Sequence, residues 1–570
     1  MTKRTIFWAV FALSALFCAI YAINNFSQAH PFLNVDVTMN RQQAKEAASE
    51  FARDRQRGPD QYRQAVSIET DKDFQNWVEL KAGGIAAFNT ILSNKTYEPY
   101  TWNVRHYEEG GQHDLLVRYT LDGKFYGFFE RLPTDAENAN MDAESARIHA
   151  EQELVAQWGI ALAEYEITEQ TTDSIPSGRR YHTIIYTKSG ISAGDATNCL
   201  RVTVSGSVLT EVTHFVGIPE SFKTYYENLS APNMQLFFIA LALAVLLYLI
   251  GGCIIGVYVL RKSGWFIWRD PLVLGILVSL SMGLDYFNHW PTLWMSYGEL
   301  YDPQLSLNNF RIGLILKMAP RLLIMGTLFS LTFMAAESLT RKAFPQHIRL
   351  WDIWTPAVAG SRRVLELTVG AFLFPAIYFA VYLKLSLLGS QSLGWWIPSE
   401  VEPEILATVF PWASTIITGV QSGFWEECMF RAIPIAGCVL LGQKYASRRT
   451  GLVVGIILQT FIFCAIHANY PQSPAYARLV VELLIPTIYL AFIYMYFGLL
   501  PAILLHCVSN IIWNSMPFFS ATEAGGFLDF VRVCIIAGLP FWIIIRAKIA
   551  NKERAELKGE HYNYSWTPKK

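Results

Sequence analysis

Apolar runs of membrane-crossing length flank one long polar stretch in this chain. A bilayer-crossing helix needs roughly 20 mostly apolar residues. Ten segments meet that need, near 5–25, 235–260, 270–289, 311–337, 364–386, 405–441, 451–468, 477–497, 499–516 and 527–546. The segment 405–441 is long enough to be broken within. Residues 30–234 are patterned differently, with charged helical stretches and short alternating runs. Asn40, with Gln43 three positions on, has the spacing of a capping box and opens a helix over 41–54. The run from Leu115 to Phe125 reads as a hairpin whose Asp122-Gly123 suits a tight primed turn. Asp142 opens a second helix over 142–158, and the alternating run Leu200–Val208 follows it. The order helix-then-hairpin therefore occurs twice.

Composition agrees with a membrane protein. Of 570 residues, 52% are hydrophobic and only 16% are charged, against about 25% in a soluble domain. The net charge of -1 leaves no basic surplus to neutralise phosphates, so nucleic acid is not an expected partner. Eight cysteines are scattered singly, without a CxxC pair or a disulfide framework. Lys and Arg gather in alternate loops: Lys3 and Arg4; Arg261, Lys262 and Arg269; Arg341 to Arg363; Lys444 to Arg449; and the tail after Arg546. The loops 290–310 and 387–404 have none. By the positive-inside rule, both termini are expected in the cytoplasm and residues 30–234 outside, in a multi-pass plasma-membrane protein. The first span is read as a retained anchor. Trp290, Trp294, Tyr297, Trp395 and Trp396 stand at span ends, as an aromatic belt would.

The expected division is an anchor at 1–29, an extracytoplasmic α+β domain at 30–234, accessory spans at 235–360, a catalytic membrane domain at 361–546 and a cytoplasmic tail at 547–570. The outer domain's doubled order resembles small α+β modules of the PepSY type. Its histidines, His106, His113, His149, His182 and His214, show no ligand spacing and read as solvated or hydrogen-bonded side chains. The domain is expected to bind or gate.

Ionisable groups in hydrocarbon cost roughly 2.5–3.5 kcal/mol on insertion scales and usually mark function. Three stand out. Glu426 and Glu427 lie mid-segment, with Arg431 four positions after Glu427 on the same helical face. His467 follows Phe463 by four, and Asn510 follows His506 by four. A shared polar site rescues all of them together, whereas each alone would need its own partner. A desolvated carboxylate is a candidate general base, and His506 with Asn510 could donate hydrogen bonds to one point, as an oxyanion hole requires.

The ordered triple EExxxR, FxxxH and HxxxN on successive spans resembles the CPBP family, which includes the type II CAAX prenyl endopeptidases and the bacterial Abi-type membrane proteases. The resemblance covers roughly residues 360–546. It implies intramembrane peptide hydrolysis, with Glu426 and His467 activating a water and His506 and Asn510 holding the oxyanion. Glu427 would orient the site, and Arg431 and Phe463 would support it. A metal-assisted scheme stays open, because Glu426, His467 and His506 are chemically suitable zinc ligands. The expected partners are the lipid bilayer and a membrane-associated protein or peptide substrate. A non-catalytic scaffold or immunity protein, or a transporter using the same charges, are the rival readings.

One tension accompanies this reading. His467 ends its span on the outer side, while His506 lies nearer the inner side, so an irregularity is expected: the span starts later, is tilted, or is broken near Ala468–Pro471. Lys317 and Arg321 flank Pro320, where a kinked helix would let the cations line a cavity. Asp285 and His289 read as interfacial, Glu482 as a support to the site, and Glu366 and Lys384 as snorkelling groups.

Overall fold

The computed structural model describes residues 3–108, 111–136, 139–290, 292, 306–399, 401–550 and 557–568. The chain is mostly helical. Among the described residues, eight helices are long and apolar enough to cross a membrane: Lys3–Ala29, Glu220–Lys262, Arg269–Asn288, Asn308–Ala343, Arg362–Ser392, Arg448–Asn469, Leu479–Phe497 and Leu499–Ser520. A ninth is a pair, Thr522–Ala537 and Leu539–Ala550, bent by 46°. The expectation of ten spans is met only by adding residues 411–445. That stretch is helical throughout, as Pro411–Glu427, a wider π turn at Cys428–Ala432, and Ile433–Tyr445. Its two carboxylates and Arg431 lower its hydropathy, which is why length and composition alone do not select it.

Between the first two membrane helices lies one eight-stranded antiparallel sheet. Its strands are β1 (Arg63–Thr70), β2 (Tyr100–Tyr107), β3 (Asp114–Thr120), β4 (Phe125–Arg131), β5 (Tyr165–Ser174), β6 (Arg180–Ala193), β7 (Ala196–Ser205) and β8 (Val208–Gly217). The order β1-β2-β3-β4-β8-β7-β6-β5 joins two four-stranded halves through their last strands, at Phe128↔Val212. One helix precedes each half, Arg41–Arg55 and Ala143–Trp158. Asn40 closes a capping box with Gln43, each side chain bonding the other's backbone, and Asp142 accepts from two backbone amides. Two further helices, Lys72–Lys81 and Gly84–Asn94, are inserted between β1 and β2.

The β3–β4 turn corrects the primed-turn expectation. Thr120 O accepts from Gly123 N at 2.9 Å, and only Gly123 has positive φ, at 88°. A primed type I turn needs positive φ at both central residues. Leu121 and Asp122 cannot adopt it without Cβ strain, so the glycine takes the left-handed position of a bulge after an ordinary turn.

The sheet's pleat sorts its faces. Leu115, Val117 and Tyr119 of β3 are buried in a core that also holds Ala44, Ala48, Ala146 and Ala150 of the two helices. Alternate residues face the membrane bundle instead. The same core continues into the bundle through Phe379, Tyr382, Leu383 and Met516. Polar ties hold the two parts. Val37 N donates to Ser520 O at 3.0 Å, His30 bonds Ser399 Oγ at 3.0 Å, and the Trp396 indole donates to Glu79 at 2.8 Å. Trp396 is thus buried against the α+β domain and is no aromatic-belt residue. Trp294 and Tyr297 lie outside the described residues. The five domain histidines all have partners: Gln64 for His106, Glu130 for His113, Glu153 for His149, Thr172 and Met141 O for His182, and the Tyr126 ring for His214.

Candidate active site

Helix 411–427 approaches helix 499–514 unusually closely because it carries glycine where they meet. A Cβ on Gly423 would lie 2.8 Å from Cys507 N and 2.5 Å from its Sγ, and one on Gly419 would lie 3.1 Å from Ile511 N. Small residues four apart let two backbones pack closely in a bilayer. That contact sets Glu426 and Glu427 beside His506, one residue before Cys507.

The two adjacent carboxylates then part company, as 100° per residue on a helix requires. Glu427 points away from the cavity and is fully buried. Its Oε1 accepts from His506 Nδ1 at 2.7 Å and lies 3.5 Å from Arg431 Nε. Glu426 faces the cavity, with Oε2 3.6 Å from His506 Nε2. The imidazole therefore stands between two carboxylates. Arg431 is also fully buried. Its guanidinium carbon lies 3.6 Å from the centre of the Phe463 ring, a cation–π contact that burial strengthens. The support expected of Arg431 goes to Glu427, at a distance longer than a hydrogen bond.

His467 arrives from a third helix. The helix Arg448–Ile466 ends one residue earlier, and His467–Asn469 form a 3₁₀ turn. The expected irregularity lies here, beginning at His467 itself. The tightened end turns the ring inward. Nδ1 bonds Phe463 O at 2.8 Å, and since a carbonyl only accepts, Nδ1 carries the proton and Nε2 is left as an acceptor.

Glu426, His467, His506 and Asn510 line a single cavity of about 450 Å³. Glu427 does not line it but supports it from behind. The cavity wall also holds residues that the motif reading passed over. Ser414, Thr418, Ser422 and Glu426 recur every four positions, a polar stripe legible in the sequence once a helix is assumed. Arg478 and Glu482 line it as well, joined Nε to Oε2 at 2.7 Å. Glu482 was expected near the site. Arg478 was not, although its i, i+4 spacing from Glu482 was a usable signal. His289 extends the same wall. Asp285 and His289 are therefore more than interfacial: Asp285 accepts from Ser414 Oγ at 2.5 Å.

A metal would need at least three donors converging on one point. Among the described residues no three His, Cys, Asp or Glu side chains are so gathered. Glu426, His467 and His506 share the cavity wall without forming that cluster.

Residues 408–512 match the family described as type II CAAX prenyl endopeptidase, Rce1-like. The matched stretch carries all three motifs, so this part of the chain is similar to a protease family, as their order had implied. No curated protein and no solved structure matches the chain.

Proposed function

We propose that the chain is an intramembrane endopeptidase that hydrolyses a peptide bond with a water activated between Glu426 and His467. The observation that supports it is the meeting of Glu426, His467, His506 and Asn510, from three helices, on one cavity. His467 Nε2, freed as an acceptor by the Phe463 carbonyl bond, and the Glu426 carboxylate each accept a hydrogen bond from the water. Glu426 takes one as the oxygen attacks the scissile carbonyl carbon. The carbonyl π pair moves onto its oxygen. In this scheme His506 donates to Glu427 through Nδ1 at 2.7 Å and carries a second proton on Nε2, which stands 3.6 Å from Glu426. Nε2–H then turns from Glu426 to the oxyanion, and the Asn510 carboxamide donates beside it. As the tetrahedral adduct collapses, Glu426 passes its proton to the leaving nitrogen, and a carboxyl and an amine terminus result.

The α+β domain is read as lying outside the cell, with both termini inside. A prenylated substrate, named in the family's description, would have to present its cleavage site to this cavity. The test is release of new amine termini from membrane-associated peptides by the purified protein. Glu426→Gln, which keeps the shape and removes the base, should reduce the rate by about 10²–10⁴. Undiminished cleavage by that variant would overturn the proposal.

A further inference from the structure

Three neighbouring cavities share lining residues from the catalytic site to the sheet. Glu404 and His289 line both the catalytic cavity and a larger one, of about 980 Å³, between the sheet and the helix ends. Arg105, Asp114, Phe129 and Arg131 line both that vestibule and a third space of about 390 Å³ against the middle of the sheet. The roof is the sheet face left over after the pleat buries its other side. Ser67 and Glu69 of β1, Leu116 and Arg118 of β3, and Phe129 of β4 point into it. The floor is Met282, Met318, Arg321 and Leu322 of two membrane helices, with Gln421 five residues before Glu426 on the same helix.

We infer that this vestibule is the entry path for an extended polypeptide segment arriving on the α+β-domain side of the membrane. The inference rests on the peptidase reading above and gives its substrate a form and a direction. The lining decides the chemistry. Charges of both signs alternate with apolar side chains, and part of the charge is already matched: Arg105 Nε donates to Asp114 at 2.8 Å, and His289 Nδ1 lies 3.5 Å from Asp285. A lipid tail needs a continuous apolar trough, since each polar group left facing it loses its water. A polypeptide brings its own polar backbone and mixed side chains. The sheet then has a role in presenting substrate, beyond that of a docked cover.

Access can be read without turnover. In proteoliposomes scored for sidedness, Ser422→Cys in the catalytic cavity should react with a membrane-impermeant cationic methanethiosulfonate added on the α+β-domain side, the wild type serving as the blank for native cysteines. Leu116→Trp in the roof, or Arg321→Trp in the floor, should each slow that reaction at least tenfold. The second variant covers misfolding of the first, because Arg321 is an exposed helix position. An unchanged rate in both, or faster reaction from the opposite side, overturns the path. In the Glu426→Gln background, excess casein, an unfolded polypeptide, should slow labelling of Leu116→Cys at least threefold and leave an outer-surface Val155→Cys unaffected. Free labelling of Leu116→Cys under casein overturns a polypeptide occupant. None of these readouts needs cleavage, so the peptidase reading fails or stands separately on Glu426→Gln activity.

Discussion

Glu427 and Arg431 form the most consequential buried pair in the chain. Both side chains are fully buried, and the three guanidinium nitrogens have no hydrogen-bond partner among the described residues. The cation is compensated by the Glu427 charge at 3.5 Å and by the Phe463 face at 3.6 Å. Glu427→Gln removes the charge and keeps the volume. An uncompensated buried charge costs about 3–5 kcal/mol, so this variant should lose that order of stability. Arg431→Met should lose less, because His506 Nδ1 at 2.7 Å remains as a hydrogen-bond donor to Glu427. The double variant, Glu427→Gln with Arg431→Met, removes both charges and should recover most of the stability. Activity should not recover with it. Without the carboxylate, His506 keeps only a neutral amide acceptor in place of the charged one that orients its ring, and loss of one oxyanion donor costs about 10²–10³ in kcat. The assay is thermal unfolding of all four proteins in one detergent, with cleavage measured alongside. Refutation is simple to recognise: a double variant as unstable as the sum of the singles, or one that regains cleavage with its stability.

Three further outcomes are expected. Gly423→Val should separate helices 411–427 and 499–514, because its Cβ would meet Cys507 N at 2.8 Å; overpacking of this kind costs about 1–3 kcal/mol, and cleavage should fall more than the unfolding midpoint does. Burial pushes the Glu79 carboxyl up to about 7 from 4.5. A carboxyl raised in the folded state supports folding fully below about 4.5 and loses that support as pH rises through about 7, by about 3 kcal/mol. Limited proteolysis should therefore find the junction between Trp396 and Glu79 weaker at pH 8 than at pH 5, and Glu79→Gln should flatten the difference. Asn510→Ala should lower kcat by about 10²-fold with little change in KM, and an equal rise in KM would assign Asn510 to binding.

The local rules of the chain were legible before any fold was known. Asn40 and Asp142 opened the helices their spacing announced, because a cap depends on residues within one turn. The apolar runs marked membrane helices, because a bilayer penalises each exposed polar group by depth and length alone. The motif pairs at i, i+4 shared faces for the same local reason. Other features depended on contacts between distant segments. Glu426 and Glu427 are chemically identical neighbours, and only the packing of helix 499–514 made one face the cavity and buried the other beside His506 and Arg431. His467 entered the site through the 3₁₀ end of its helix, and Trp396 left the membrane boundary for Glu79, 317 positions away. The vestibule is the extreme case, since its roof and floor come from separate parts of the chain. Sequence alone determined which residues were too costly to leave unpaired in hydrocarbon. Tertiary structure decided which of them face open space and which face each other, because burial and distance to a partner are properties of the packed chain.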